Sequence, residues 1–321
     1  MKKHLIAAAV AGALAVPALA QVTVYGSMEI GLVNTDAATD TNTMTNAAFV
    51  SDRLGFKGEE DLGGGMKASF RLESTIGPSN GAKNTLFNRG AELGLSGGFG
   101  SVRLGKLDHA GIEGNDDLLL GNLNLGSNTV EAGGFGQDVD GTVAYTTPAM
   151  GGFTFNVTHT LADNGASAYS QSTAFTHDGI TSYQAAGKIG ALAVKLGAGE
   201  GKSRETGDKT KVMGTSVRYD LGMAAVSAFY QQQDNPSGAN DASQVQISVL
   251  VPFGGDLSVG GTYQKLDVDG GEASDSTTTA VMAKKALSKR TSLYGLYRIV
   301  DPKAAGTDST KTLGFYVGHS F

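Results

Sequence analysis

A chain of 321 residues with 17% charged side chains, 47 glycines, no cysteine and no tryptophan is poor material for an enzyme built around a dry core. Without cysteine it has neither a disulfide framework nor a thiolate site, and a formal charge of −6 with no basic cluster argues against a nucleic-acid surface. The composition suits a structure with one apolar face, one polar face and many tight turns.

At the N-terminus, Lys2 and Lys3 precede an apolar run from Leu5 to Val16, and Ala18-Leu19-Ala20 forms a small-x-small cleavage site before Gln21. This is the layout of a secretory signal peptide over 1–20, and the run is far short of the ~20 apolar residues that a spanning helix needs. A mature chain of 21–321 loses two lysines, which moves the formal charge from −6 to −8. It holds no run of 18 consecutive apolar residues, so it is either exported and soluble or crosses a membrane as strands.

From residue 22 onward the dominant signal is a period of two. Val22, Val24, Met28, Ile30 and Leu32 share one face of an extended stretch, and Thr23, Tyr25, Ser27 and Glu29 share the other. Leu54 and Phe56 alternate with Arg53, Gly55 and Lys57, and Met66, Ala68, Phe70 and Leu72 alternate with Lys67, Ser69, Arg71 and Glu73. In the strand expected over 86–96, Gly90, Glu92 and Gly94 alternate with Arg89, Ala91 and Leu93, which sends Arg89 outward unless a bulge intervenes. Arg103 alternates with Val102 and Leu104, and Leu313, Phe315, Val317, His319 and Phe321 share a face at the C-terminus.

Sixteen strands are expected, over 22–34, 50–60, 65–75, 86–96, 100–107, 141–147, 152–161, 181–190, 192–200, 209–220, 223–233, 243–251, 256–267, 277–287, 291–300 and 311–321. Short, mostly glycine-rich turns at 61–65, 97–100, 150–152, 189–190, 254–255 and 288–290 alternate with longer polar segments, of which 108–140 is the longest. Short turns at one end and long loops at the other are the asymmetry of an outer-membrane barrel, and an even strand number leaves both chain ends on the short-turn side. The fold class is therefore all-β, a transmembrane antiparallel β-barrel. In hydrocarbon every backbone N–H and C=O must be paired, which only closure achieves. A soluble sandwich, a β-helix or a surface adhesin would also alternate, but none needs so many strands of about ten residues, the length a tilted strand requires to cross a bilayer. Inward Arg, Lys, Glu and Asp make sense only if the interior is wet.

Segment 108–140 carries Asp108, Glu113, Asp116, Asp117, Glu131, Asp138 and Asp140 with no lysine or arginine. It reads either as a solvated acidic loop or as an acidic lip over a pore. Its length and the apolar Leu118, Leu119, Leu120, Leu123 and Leu125, which need something to pack on, favour the lip. Arg53, Arg71, Arg103 and Lys57 fall on the polar faces of the early strands and are candidate wall cations, with a solvated place away from the narrowest point as the plainer reading of each. Other motifs lack their context. Gly94-Leu-Ser-Gly-Gly98 matches a nucleophile elbow but is followed by a strand rather than a helix, Gly201-Lys-Ser203 lacks the first P-loop glycine, Asp267-Val-Asp269-Gly270 is an incomplete calcium loop, and the five histidines have no ligand spacing.

The chain resembles Gram-negative general porins of the β-proteobacterial and neisserial type. The residues that carry the resemblance are Gln21-Val-Thr-Val-Tyr-Gly26, the run from Arg53 to Gly63, Phe87-Asn-Arg89, Gly94-Leu-Ser-Gly97, the run from Phe99 to Gly105, Ala144-Tyr-Thr-Thr-Pro148 and a last strand ending in Phe321. Each piece is weakly specific, but together, in this order, they are highly specific and cover essentially the whole mature chain. The resemblance implies a barrel of about 16 strands, a homotrimer, and a third long loop folded inward. It adds Arg89 to the wall cations Arg53, Arg71, Arg103 and Lys57, and sets Glu113, Asp116, Asp117 and Glu131 of the loop against them. The implied function is a water-filled outer-membrane channel for passive diffusion of ions and small hydrophilic solutes, not an enzyme, with no cofactor and no metal. Lipid and lipopolysaccharide would surround it. A channel selective for organic acids or phosphate, or a barrel-based adhesin, are the alternatives. Net charge points to a weak cation preference. The chain departs from the family at Asp140-Gly141, where relatives often carry arginine, and at Glu92, where an aromatic is common.

Overall fold

The computed structural model of the chain describes residues 22–36, 41–83, 85–108, 139–161, 177–203, 207–235, 241–269 and 275–321. Among them are β1 (Thr23–Asp36), β2 (Thr41–Asn46), β3 (Arg53–Gly63), β4 (Met66–Gly77), β5 (Ala82–Lys83), β6 (Gly90–Gly97), β7 (Gly100–Leu107), β8 (Val139–Thr146) and β9 (Phe153–Thr160). The chain continues with β10 (His177–Ile189), β11 (Leu192–Ser203), β12 (Lys209–Asp220), β13 (Ala225–Asp234), β14 (Ala242–Gly254), β15 (Leu257–Val268), β16 (Ser276–Ala286), β17 (Thr291–Pro302) and β18 (Thr310–Ser320).

Sixteen of these strands form a closed antiparallel ring, running β1–β3–β4–β6 and then in chain order to β18, which pairs back with β1. The seam holds from Ser27↔Ser320 to Asp36↔Lys311. It is extended by Gly26 N–H donating to the Phe321 carbonyl at 3.1 Å and Phe321 N–H donating to the Gly26 carbonyl at 3.0 Å. Closure leaves no sheet edge, so the ladder satisfies the backbone without water.

The barrel is inside-out relative to a soluble one. Leu32 on β1 is 64% exposed and Phe315 on β18 is 62% exposed, whereas their alternating neighbours Glu29, Ser27 and Thr312 are buried. The same inversion holds on β14, where Val245, Ile247 and Val249 face outward and Gln244, Gln246 and Ser248 face inward. An apolar exterior of this kind costs free energy in water at about 25 cal/mol per Å² and none in hydrocarbon. The alternation expected from the sequence is therefore the alternation between lipid and lumen.

Strands β2 and β5 stand outside the ring. Among the described residues β5 pairs with β4, through Ile76↔Lys83 and Gly77↔Ala82. β2 pairs with Ile30–Thr35 of β1, and β3 pairs with Thr23–Ser27 of the same strand, so the two lie in succession along one edge of β1. Residues 47–52 between them leave the sheet and fold to its inner side. There Phe49 stacks on Tyr294 at 4.6 Å between ring centroids and meets Tyr316 edge-on at 5.2 Å. Val33, Ala280, Met282 and Leu296 complete a small apolar cluster on the lumen side.

The strand expected over 86–96 begins at Gly90, because Phe87 takes a left-handed conformation (φ 58°) and residues 85–89 form a turn. Asn88 clamps that turn to β4, accepting from Thr75 N–H at 2.8 Å and donating to the Thr75 hydroxyl at 3.0 Å. Residues 1–21 and the greater part of the third long segment lie outside the described residues, and with the latter Glu113, Asp116, Asp117 and Glu131.

Candidate functional site

The polar faces of β3, β4, β6 and β7 meet on one stretch of inner wall. Register puts Lys57 opposite Arg71, Gly55 opposite Glu73, Arg71 opposite Glu92, and Gly94 opposite Arg103. Arginines that are scattered in sequence thereby become neighbours. The Arg71 guanidinium donates from Nε to Glu92 at 2.7 Å and lies 3.9 Å from Glu73, and Arg103 reaches the other oxygen of Glu92 at 3.0 Å. Arg53 approaches Glu73 at 3.4 Å. Gly90 makes room, since a Cβ there would sit 2.9 Å from an Arg71 nitrogen.

Arg89 also faces the lumen, against its strand parity. It precedes β6 in the 85–89 turn, its backbone N–H donates to the Glu73 carbonyl at 3.0 Å, and its Nε donates to Oε1 of Glu73 at 3.0 Å. The turn plays the part of the bulge that parity demanded. Lys57 lies over the Tyr25 ring at 4.9 Å from its centroid, and the Tyr25 hydroxyl donates to Oε2 of Glu73 at 2.7 Å. Arg53, Arg71, Arg89, Arg103 and Lys57 thus stand together on one wall. Where the cluster ends, Gly105 (φ 134°) breaks the β7–β8 register so that Leu107 pairs with Val139, and Lys106 turns to Asp140 at 2.9 Å. A side chain at Gly105 would strike the Ala91 carbonyl, with Cβ and oxygen 2.1 Å apart.

Glu73 and Glu92 are the members of this cluster that sequence reasoning passed over. Glu73 is almost wholly buried and Glu92 nearly so, and each bridges two or more guanidiniums. Glu73 was legible by parity, two residues from Arg71 on the same face. Glu92 was legible too, but its departure from the family's aromatic obscured it. Asp108, just past β7, adds a third attractive field at Arg71.

The wall across the lumen is different. In a ring of sixteen, strands eight places apart face each other, so β4 faces β13, β6 faces β14 and β7 faces β15. The inner faces of those three strands carry Gln231, Gln233, Gln244, Gln246, Gln264, Ser227, Ser248 and Thr262, with no charged residue. The wall facing β4, β6 and β7 is neutral and polar, while β12, eight places from β3, carries Arg218 on the face of the buried Thr210, Val212 and Ser216. Among the described residues no set of three or more His, Asp or Glu is arranged to hold a metal.

The family model described as Gram-negative porin matches residues 7–304. The chain is 30% identical over 351 aligned positions to outer membrane porin protein 32 of Delftia acidovorans, covering 99% of this chain and 95% of that one. It is 31% identical to major outer membrane protein P.IB of Neisseria lactamica over 79% of each. Among solved structures, the anion-selective porin from Comamonas acidovorans superposes with a TM-score of 0.80 at 24% identity, covering 94% of this chain and 100% of that one. The Salmonella typhi OmpF complex with daunomycin superposes at 0.74 with 16% identity, over 94% and 98% of the two chains. These superpositions establish the fold, and the sequence matches establish descent. An apolar exterior, a polar and charged interior, and relatives that are outer-membrane proteins of Gram-negative bacteria agree: the chain belongs to the Gram-negative porin family and forms an outer-membrane channel for passive diffusion.

Proposed function

We propose that Arg53, Arg71, Arg89, Arg103 and Lys57 are the selectivity element of this channel, and that it favours small anions. The observation that carries this is the local charge balance. Five cations meet three described carboxylates, Glu73, Glu92 and Asp108, within the cluster itself, a surplus of two positive charges there, while Glu29 and Asp52 beside it are engaged by backbone N–H groups rather than by guanidiniums. The net charge of the mature chain, −8 once Lys2 and Lys3 are taken from the −6 of the full chain, pointed toward cations. An ion in the lumen, however, responds chiefly to charges within a Debye length, ~10 Å at 0.1 M salt.

A charged wall facing a neutral one also creates a transverse field that orders water in the lumen. Polar solutes compensate that field as they pass and apolar solutes do not. Glu113, Asp116, Asp117 and Glu131 would form an acidic lip facing the cluster, a reading supported by the family resemblance. Charges set into the wall are screened less than charges on a solvated loop, so the wall decides the sign. Guanidiniums in this number also suit small carboxylates and phosphate, which they can bind in a bidentate manner.

The chain would act as a homotrimer in lipid and lipopolysaccharide, without catalysis, after loss of residues 1–20. A solved neighbour, OmpT of Vibrio cholerae, is described in a trimer form. The deciding experiment is the reversal potential of the refolded chain in a planar bilayer under a potassium chloride gradient. A potential of the sign set by chloride supports the reading, and one set by potassium sinks it.

A further inference from the structure

The inward fold of residues 47–52 has a specific anchor. Met28 and Glu29 of β1 are skipped by both β2 and β3, because the pairing passes from Ile30↔Asn46 to Ser27↔Arg53. Glu29 fills that gap with its own hydrogen bonds. Its carboxylate accepts from the backbone N–H of Ala48 at 2.6 Å and of Phe49 at 2.9 Å, and its backbone N–H donates to Oδ1 of Asp52 at 2.5 Å. One turn of chain is thereby tied to a single fully buried carboxylate.

The far end of this segment is the start of the cation cluster. The Ser27 hydroxyl donates to the Ser51 carbonyl at 2.7 Å. That same carbonyl accepts from Nε of Arg53 at 3.3 Å, and Arg53 continues to Glu73. The Asp52 carbonyl accepts from Ile76 N–H at 3.4 Å, which locks the segment to β4. A continuous run of bonds therefore links Glu29, through residues 48–52, to the guanidinium that ends the cluster. Phe49, Ala48 and Val50 add a second layer inside the wall and narrow the lumen beside it.

We propose that Glu29 is a positioning residue for ion selectivity: by holding residues 47–52 inward it fixes Arg53 within the wall cluster and sets part of the lumen's width. The inference rests on the reading of the cluster as the selectivity element, and it gives Glu29 an effect opposite in sign to that of its own charge. Glu29 is buried in the inner wall beneath residues 47–52, and its negative charge disfavours anions nearby, so simple loss of that charge should raise the anion-to-cation permeability ratio. Loss of its hold on the segment should release Arg53 and lower that ratio.

Two substitutions separate these effects. E29Q keeps an oxygen that can accept from Ala48 and Phe49 but removes the charge, and E29A removes both. In planar bilayers under a salt gradient, E29Q should raise the permeability ratio. E29A should lower it roughly twofold, the Coulomb effect of displacing one guanidinium by several ångströms in a water-filled lumen, and should enlarge the conductance step. F49A changes no charge and loosens the segment from Tyr294 and Tyr316, so it keeps the test open should E29A fail to fold. It too should shift selectivity toward cations. If E29A moves in the same direction as E29Q, or if F49A leaves the reversal potential at the wild-type value, the inference is overturned. The wild-type sign separately tests the reading of the cluster, because each variant is judged by its shift from wild type.

Discussion

Glu73 exposes only 3% of its side chain, yet Arg53, Arg71 and Arg89 and the Tyr25 hydroxyl all converge on it. Replacing it by glutamine removes the compensating charge while leaving the shape. Two effects should follow. The anion-to-cation permeability ratio should rise about twofold in a bilayer measurement. Stability should fall by about 2 kcal/mol, since charge-assisted bonds at a buried site are lost, and this should show as a lower temperature for the heat-induced shift in gel mobility. Arg103→Gln should act in the reverse direction on selectivity, because it removes a cation whose partner Glu92 keeps Arg71. At this scale the sequence was legible where strand parity held, as for Arg53, Arg71, Arg103 and Lys57. Parity alone sent Arg89 outward although the family resemblance set it among the wall cations, and its inward reach depends on a left-handed Phe87 and an Asn88 clamp that no period of two encodes.

At the scale of the element, β1 and β18 show how glycine shapes the inner wall. The Tyr316 ring lies flat across Gly31 and Gly314, where a Cβ would come within 2.1 Å and 2.6 Å of it. Those two absences let the ring hug the wall and leave a platform for Phe49. Gly314→Ala should force the ring out, at the ~1–3 kcal/mol typical of overpacking, and disturb the 47–52 segment with it. The expected readout is a reduced yield of refolded barrel together with a noisier open-channel current. Gly31 did not announce this role in the sequence, because the demand on it comes from Tyr316 across the β1–β18 seam, whereas Gly314 lies two residues from Tyr316 on the same face of β18. The strand type, by contrast, was plain from alternation alone, since each strand separates two solvents along its whole length.

At the scale of the whole molecule, the two faces of the barrel obey different rules. Ile247 lies near the middle of β14 and faces outward. An arginine there should cost ~2–4 kcal/mol if it meets the bilayer midplane, measured by reversible unfolding from lipid vesicles. The neighbouring Gln246 faces inward among polar partners, its amide donating to the Ser248 hydroxyl at 3.3 Å, and the same substitution there should be milder. Selectivity should also depend on salt. Raising ionic strength from 0.1 M to 1 M shortens the Debye length from ~10 Å to ~3 Å, so the preference set by the wall should decline when reversal potentials are compared at a constant concentration ratio.

By itself the sequence determined the class of the protein. Period-two alternation over about ten residues, repeated sixteen times with short turns and long loops in alternation, has one stable solution in lipid, a closed antiparallel barrel. It determined which residues face lipid and which face water, and so most of the wall cations. Tertiary structure alone decided how those cations are arranged. Register across β3, β4, β6 and β7 gathered them around Glu73 and Glu92, and ring closure set the neutral, glutamine-rich β13, β14 and β15 opposite β4, β6 and β7. It also decided that residues 47–52, expected as loop and the start of a strand, fold inward onto Glu29 and Tyr294. The physical reason is the same in each case. Alternation is a local property of one strand, whereas register, closure and a detour out of the sheet are fixed by partners far away in the chain.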